Sequence, residues 1–350
     1  MHSGESAGTA AGGAGLERLS PMGVPETAET GVLLVNLGAP DGAGGVEPFL
    51  RNLFSDPAII PVEPPFARAV VARVIAKRRA RRVIPRYEAI GGTSPLLSIT
   101  TRQAEKLEAR LRSGGLSARV FVGMRYWRPT LAEALGEVSR CGARRLVILP
   151  LYPQFSTTTT GSAFSEIKRV MSQTGYRPEV RAIKQWCDFP PVLNALAARV
   201  KKTLGKFNFS DPEGIQLVFT AHGIPERLAR SGDPYPQQVA RTVEGIVRRV
   251  QHPQWRLGYQ SRVGRGRWLE PRTDVLLRDL CRRGKRSFLV APVSFVSDHL
   301  ETLHEIDIFL RDQVESAGAV EFRRTESLND SDDFIEALGR LVGIALSKKE

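Results

Sequence analysis

Short apolar runs along the chain alternate with stretches whose apolar residues recur every three and four positions. The runs Gly31 to Leu37, Ala118 to Gly123, Arg145 to Leu151, Glu179 to Ala182, Gly214 to Thr220, Trp255 to Gln260, Arg286 to Pro292 and Val320 to Arg323 have strand length. Several are apolar almost throughout, as strands buried on both faces must be. Helical spacing appears in Ser98 to Leu111, Thr130 to Ser139, Phe164 to Met171, Pro190 to Leu204, Pro236 to Val250, Thr273 to Arg282 and Glu301 to Gln313. Strands and helices in strict alternation predict an α/β fold with parallel strands and helices on both faces.

Two internal parallels divide the chain. The stretch Arg144 to Ile167 and the stretch Lys285 to Ile306 each run basic pair, buried strand, Pro, aromatic, polar turn, helix. Leu33 to Pro40 and Leu217 to Pro225 are each a strand followed by a Gly-Pro loop. Two similar lobes are expected, 31–182 and 183–328, with a C-terminal helix in 329–350 packing back on one of them. Loops after parallel strands line the ligand crevice of such sheets, so equivalent loops from two lobes would face one cleft.

Residues 1–30 are rich in Gly, Ala, Ser and Thr, lack a basic start and an apolar stretch, and read as a disordered tail on a cytoplasmic protein. With 350 residues, 42% hydrophobic and 25% charged, the chain is of ordinary globular composition. Its longest apolar runs fall far short of the roughly 20 residues that span a bilayer. Cys141, Cys187 and Cys281 are widely spaced and form neither a disulfide framework nor a metal knuckle. The net charge of +13 favours acidic partners. Part of it lies at the basic end of an amphipathic helix from Pro64 to Arg82, a pattern that suits anionic lipid and equally suits a solvated surface. No nucleic-acid recognition motif accompanies it.

Candidate chemistry gathers at strand ends. His222 follows the Gln216 to Phe219 run and precedes Gly223, which permits a tight turn and close ligand approach. Asp298, His299 and Glu301 follow the Phe288 to Pro292 run, where a capping pattern is the competing explanation, and Glu305 extends the carboxylate row by one helical turn. Imidazole facing carboxylate suits a borderline cation such as ferrous iron, and equally suits proton transfer. Arg125 offers a charge for an acidic group, with Tyr126 and Trp127 as flat walls, and Tyr152 precedes the hydroxyl-rich Thr157 to Thr160. There is no nucleophile elbow, no dinucleotide fingerprint and no phosphate-binding lysine loop, which argues against hydrolase and nucleotide-driven chemistry.

The motifs LLVNLGAPD, YPQFSTTTTGSA, FTAHGIPERLARSGDPYPQQ, YQSRVGRGRWLEP and PVSFVSDHLETLHEID resemble those of the ferrochelatase family, from about Gly31 to the final helix. The resemblance implies two Rossmann-like lobes related by pseudo-symmetry, and insertion of ferrous iron into protoporphyrin IX with release of two protons, the last step of haem synthesis. It implies that His222 and Glu301 are the essential iron-binding or proton-accepting residues, with Asp298 and His299 beside them. Arg125, Tyr126, Tyr152, Ser94, Tyr87, Arg79 and Phe295 match positions beside the porphyrin. Some members hold an iron-sulfur cluster on cysteines; Thr157 stands where certain of them have Cys and no Cys follows Cys281, so no cluster and no other cofactor is expected. The resemblance also implies a membrane-facing lip near residues 64–82, and leaves monomer and homodimer both open. Two rival readings are a tetrapyrrole-binding protein with His222 as axial ligand and a cobalt chelatase acting on sirohydrochlorin.

Overall fold

The computed structural model of the protein describes residues 1, 28–207, 214–262 and 266–347; nearly all of the expected tail lies outside them. The first half contains β1 (Thr30–Asn36), α1 (Ala43–Phe54), α2 (Pro65–Glu88), α3 (Leu96–Ser113), β2 (Ala118–Met124), α4 (Leu131–Arg140), β3 (Arg145–Pro150), α5 (Ser162–Thr174) and β4 (Glu179–Ala182). The second contains α6 (Pro190–Leu204), β5 (Ile215–His222), α7 (Glu226–Arg230), α8 (Tyr235–Val250), β6 (Trp255–Gln260), α9 (Thr273–Arg282), β7 (Ser287–Pro292), α10 (Leu300–Leu303), α11 (Arg311–Glu315), β8 (Glu321–Arg324) and α12 (Asp332–Ser347). The strands form two parallel sheets of identical topology, β2-β1-β3-β4 and β6-β5-β7-β8. The internal repeat read in the sequence is therefore a repeat of the fold.

Strand alternation distributes the core. Val32, Leu34, Val147 and Leu149 of the first sheet join Leu217, Phe219, Leu289 and Ala291 of the second in one hydrophobic cluster, filled by α3, α6, α8 and α12. The intervening residues Leu33, Val35, Leu146 and Ile148 turn to the other face, against α4 and α5. Val218, Phe288 and Val290 do the same against α9. Burial on both faces explains why these strands read as continuous apolar runs. The C-terminal helix α12 lies against α3, β3 and β4 of the first half and against α6.

Several elements depart from the sequence expectation. The helix expected from Glu301 to Gln313 is broken into α10, a π-helical turn at Glu305–Leu310, and α11. Its widened register is closed by the Phe309 N–H donating to the His304 carbonyl at 2.8 Å. The same device recurs after β3, where Thr157–Gly161 is π-helical and the Gly161 N–H donates to the Ser156 carbonyl at 3.0 Å. In addition, α2 runs on past Arg82 to Glu88 and packs through Ala72, Ala76, Ala80, Val83 and Tyr87 against α1.

Candidate active site

His222 is the last residue of β5, in register with Gln260 of β6. Its peptide is clamped on both sides: the N–H donates to Ser294 Oγ at 2.9 Å, and its carbonyl accepts from the Tyr235 hydroxyl at 2.8 Å. The ladder continues one residue beyond β5, where the Gly223 N–H donates to the Gln260 carbonyl at 2.8 Å; the tight turn expected at Gly223 is not formed there. A Cβ at Gly223 would lie only 3.0 Å from that oxygen, so the close strand approach favours glycine.

Facing it is the segment after β7. Phe295 makes T-shaped contacts with both imidazoles, its centroid 6.1 Å from that of His222 and 4.6 Å from that of His299. His299 Nε2 lies 3.3 Å from Glu301 Oε2, and its Nδ1 is buried without a hydrogen-bond partner among the described residues. Burial pushes the His222 pKa below its ordinary value; Glu301 opposes that shift and His299 adds to it, so the three are within electrostatic reach. Burial likewise lowers the His299 pKa, against the pull of Glu301 and Asp298. Both rings are neutral at neutral pH, with lone pairs available to a proton or a cation.

The structure separates the carboxylates that the sequence grouped. Asp298 Oδ1 accepts from Arg324 Nη1 (3.0 Å), Ser327 Oγ (2.8 Å) and Thr302 Oγ1 (3.0 Å), while Oδ2 accepts from Asn329 Nδ2 (2.8 Å). Burial alone would raise its pKa, but Arg324 and the three neutral donors overcome that and hold it below the usual range. Both carboxylate oxygens of Asp298 are thus engaged by side-chain donors. Glu301 has no such cage; its backbone carbonyl accepts from Gln260 Nε2 at 3.0 Å and its side chain keeps 25% of its exposure. Glu305, at the start of the π-helical turn, accepts from the Ser261 N–H (3.0 Å), the Ser261 hydroxyl and Gln260 Nε2 (3.2 Å). Burial, reinforced by Glu301, nevertheless pushes its pKa above the ordinary carboxylate range. A cavity of about 260 Å³ opens beside Glu305, lined also by Arg86, Ser261, Asp274 and His304.

The residues expected beside a porphyrin are spread over several elements. Tyr87, at the end of α2, is buried and feels Glu301, which together with the larger effect of burial raises its pKa. Arg79 lies over the Phe54 ring at 5.8 Å, with its Nε buried and without a partner among the described residues, and its pKa lowered by burial and by Arg86 and Arg82. Leu300 packs into the same cluster, which ties α1 and α2 to the active-site segment.

Arg125, by contrast, is not a free cation. Its Nη2 pairs with Asp56 Oδ2 at 2.8 Å and its Nε donates to Ser162 Oγ at 2.8 Å. The Tyr126 hydroxyl donates to the same Asp56 oxygen at 2.7 Å, and the ring is only 3% exposed beneath the Arg125 guanidinium, so it is interior packing rather than an open wall. Tyr152 adjoins this cluster, and burial, with Tyr126, raises its pKa well above normal. Ser94 accepts from the Leu96 N–H at 3.3 Å at the start of α3. The sequence reading missed Asp56, whose Asp-Pro setting resembles any loop, and missed Ser294 and Tyr235, whose roles run through the peptide of His222.

Among the described residues no three His, Cys, Asp or Glu side chains converge into a metal cage. Paired parallel sheets with strand-end loops converging on an imidazole and a carboxylate define a chelatase-like α/β protein. The solved structure of SirB from Bacillus subtilis with Fe3+ shares this fold, with a TM-score of 0.52 at 14% identity over 91% of this chain and 96% of that one. The sirohydrochlorin chelatase SirB from Bacillus subtilis subspecies spizizenii in complex with cobalt gives a TM-score of 0.51 at 13% identity, covering 91% and 96% of the two chains.

Within that class the chain belongs to the ferrochelatase family, whose model matches residues 29–345. A ferrochelatase of Geotalea uraniireducens is 42% identical over 321 residues, covering 92% of this chain and 99% of the relative. One from a Synechococcus species is 44% identical, covering 90% and 93%, and one from Aquifex aeolicus is 42% identical, covering 89% and 98%.

Proposed function

We propose that this protein inserts ferrous iron into protoporphyrin IX, forming protohaem and releasing the two pyrrole protons. Family membership supports the reaction. The observation that carries the site is the buried imidazole of His222, electrostatically coupled to Glu301, whose carboxylate lies 3.3 Å from His299 Nε2 and is held by no cage of donors. Metalation needs a group that accepts protons from the ring and a ligand that releases iron easily, and an open pair meets both needs where a closed cage would retain the metal. Glu305, with its raised pKa one turn beyond Glu301, is placed to take protons onward toward the cavity beside it. Asp298 orients the segment, and Phe295 makes a T-shaped contact with each imidazole.

No resident cofactor enters this reading: Cys141 and Cys281 are buried in different hydrophobic clusters, and burial, with Asp188, pushes the Cys187 thiol up to about 11. Among the described residues no helix is long and apolar enough to cross a membrane. Peripheral contact is supported by α2, where Phe66, Val70 and Val74 form a stripe at four-residue spacing and are 74%, 62% and 46% exposed. Exposed Arg73, Lys77 and Arg78 flank it, suiting an anionic lipid surface.

The test is anaerobic incubation of the purified protein with ferrous iron and protoporphyrin, following haem absorbance and porphyrin fluorescence. Haem should form faster than in the protein-free mixture, and cobalt with sirohydrochlorin should react poorly. Porphyrin binding without turnover would leave a tetrapyrrole-binding protein instead.

A further inference from the structure

We propose that Arg324 is a positioning residue for metalation, clamping the turn that carries His299 and Glu301 against the π-helical turn that carries Glu305. The proposal rests on the reaction read above. Arg324 ends β8, the edge strand of the second sheet, and its side chain is 10% exposed. Its fork faces two ways. Nε and Nη2 donate to Asp307 Oδ1 and Oδ2 at 2.9 and 2.8 Å, a bidentate grip on the π-helical turn. Nη1 donates to Asp298 Oδ1 at 3.0 Å. Asp298 in turn accepts from Thr302 Oγ1 within α10, and its own N–H donates to Asn329 Oδ1 at 2.9 Å.

Glu301 and Glu305 therefore lie on two short helical pieces meeting near His304, and one guanidinium is tied to a carboxylate serving each piece. A planar fork suits this bridge; an ammonium, a single point charge, does not hold both partners in the same geometry. Neither Asp298 nor Asp307 is needed in the chemistry for the clamp to matter, because a misplacement of about 1 Å at a reacting group costs up to ~10²-fold in rate.

The test uses full-length Arg324→Gln, Arg324→Lys, Asp307→Asn and the double variant Arg324→Gln/Asp307→Asn. For each, kcat, KM for both substrates, porphyrin Kd by fluorescence quenching and a melting curve are measured. The clamp predicts a kcat lower by about 10- to 100-fold in Arg324→Gln and in Asp307→Asn, with porphyrin Kd changed by less than about threefold. Lysine should restore only part of the loss, and the double variant should be no slower than Arg324→Gln. Wild-type kcat in a folded Arg324→Gln, or losses that multiply in the double variant, would overturn it. If Arg324→Gln does not fold, Asp307→Asn, which keeps the Arg324 to Asp298 pair, decides by the same criterion. Amide exchange across residues 299–310 is read alongside, independent of activity, and should quicken in Asp307→Asn. Unchanged exchange there overturns the clamp, whereas absence of haem from the wild-type protein sinks the reaction alone.

Discussion

Replacing Tyr235 with Phe removes one oxygen and tests how the fold holds the imidazole of His222. Tyr235 is 5% exposed, and its hydroxyl donates to the His222 carbonyl at 2.8 Å, opposite the Ser294 contact to the N–H. Phe keeps the ring packing on α8 but leaves that carbonyl without its donor. A buried hydrogen bond contributes about 1 kcal/mol net, and stranding the acceptor brings the expected loss to about 1–2 kcal/mol. At about 2 cal/mol/K of unfolding entropy per residue, that is about 2 °C in Tm for 350 residues. The freed peptide also lets the imidazole drift, so kcat should fall up to about tenfold, the equivalent of ~1.4 kcal/mol in the barrier. Urea unfolding followed by tryptophan fluorescence gives the first quantity and the metalation assay the second. A stability loss below about 0.3 kcal/mol together with wild-type kcat would refute the idea that this hydrogen bond holds His222.

Two further outcomes follow from surface features. Arg199 grips Asp333 at 2.8 and 3.1 Å, holding its pKa down to about 2. That contribution is present above the ordinary carboxylate pKa near 4 and fades as pH falls through about 2. Asp333→Asn should therefore cost about 1 kcal/mol at pH 7, allowing for its partial exposure, and nearly nothing at pH 2, checked by urea melts at both pH values. On α2, replacing Phe66, Val70 and Val74 together by Ser should weaken sedimentation with anionic vesicles by at least about tenfold, since each apolar side chain contributes ~1.5–3 kcal/mol on burial. Turnover of detergent-dispersed porphyrin should not change.

The strands were legible because both faces of each sheet are covered, so Leu33 and Leu34 are buried on opposite sides and the run reads as one apolar block. His222 was legible because a polar residue at the end of such a block must have a reason to be there. α1 was missed although Val46, Phe49, Leu50, Leu53 and Phe54 follow helical spacing, because Gly44, Gly45 and Pro48 lower its local propensity and packing on α2 supplies what they remove. The π-helical turn was missed because apolar periodicity cannot register one inserted residue over a single turn. Arg125 reads as a ligand cation only until Asp56, 69 positions away, is folded against it. The four side chains that close around Asp298 were likewise not readable from its neighbours in sequence. Long-range pairing of charges leaves no periodic trace in a sequence.

The joint role proposed for His222 and Glu301 is tested most directly by metalation rates of His222→Ala and Glu301→Ala, with porphyrin Kd measured on the same samples. The peptide clamp on His222 does not depend on its ring, so both variants should fold and bind porphyrin within about threefold of wild type. Turnover should fall by about 10²- to 10⁴-fold in each, the range for loss of a positioned proton-transfer group. Turnover within about threefold of wild type in both would contradict the site described here.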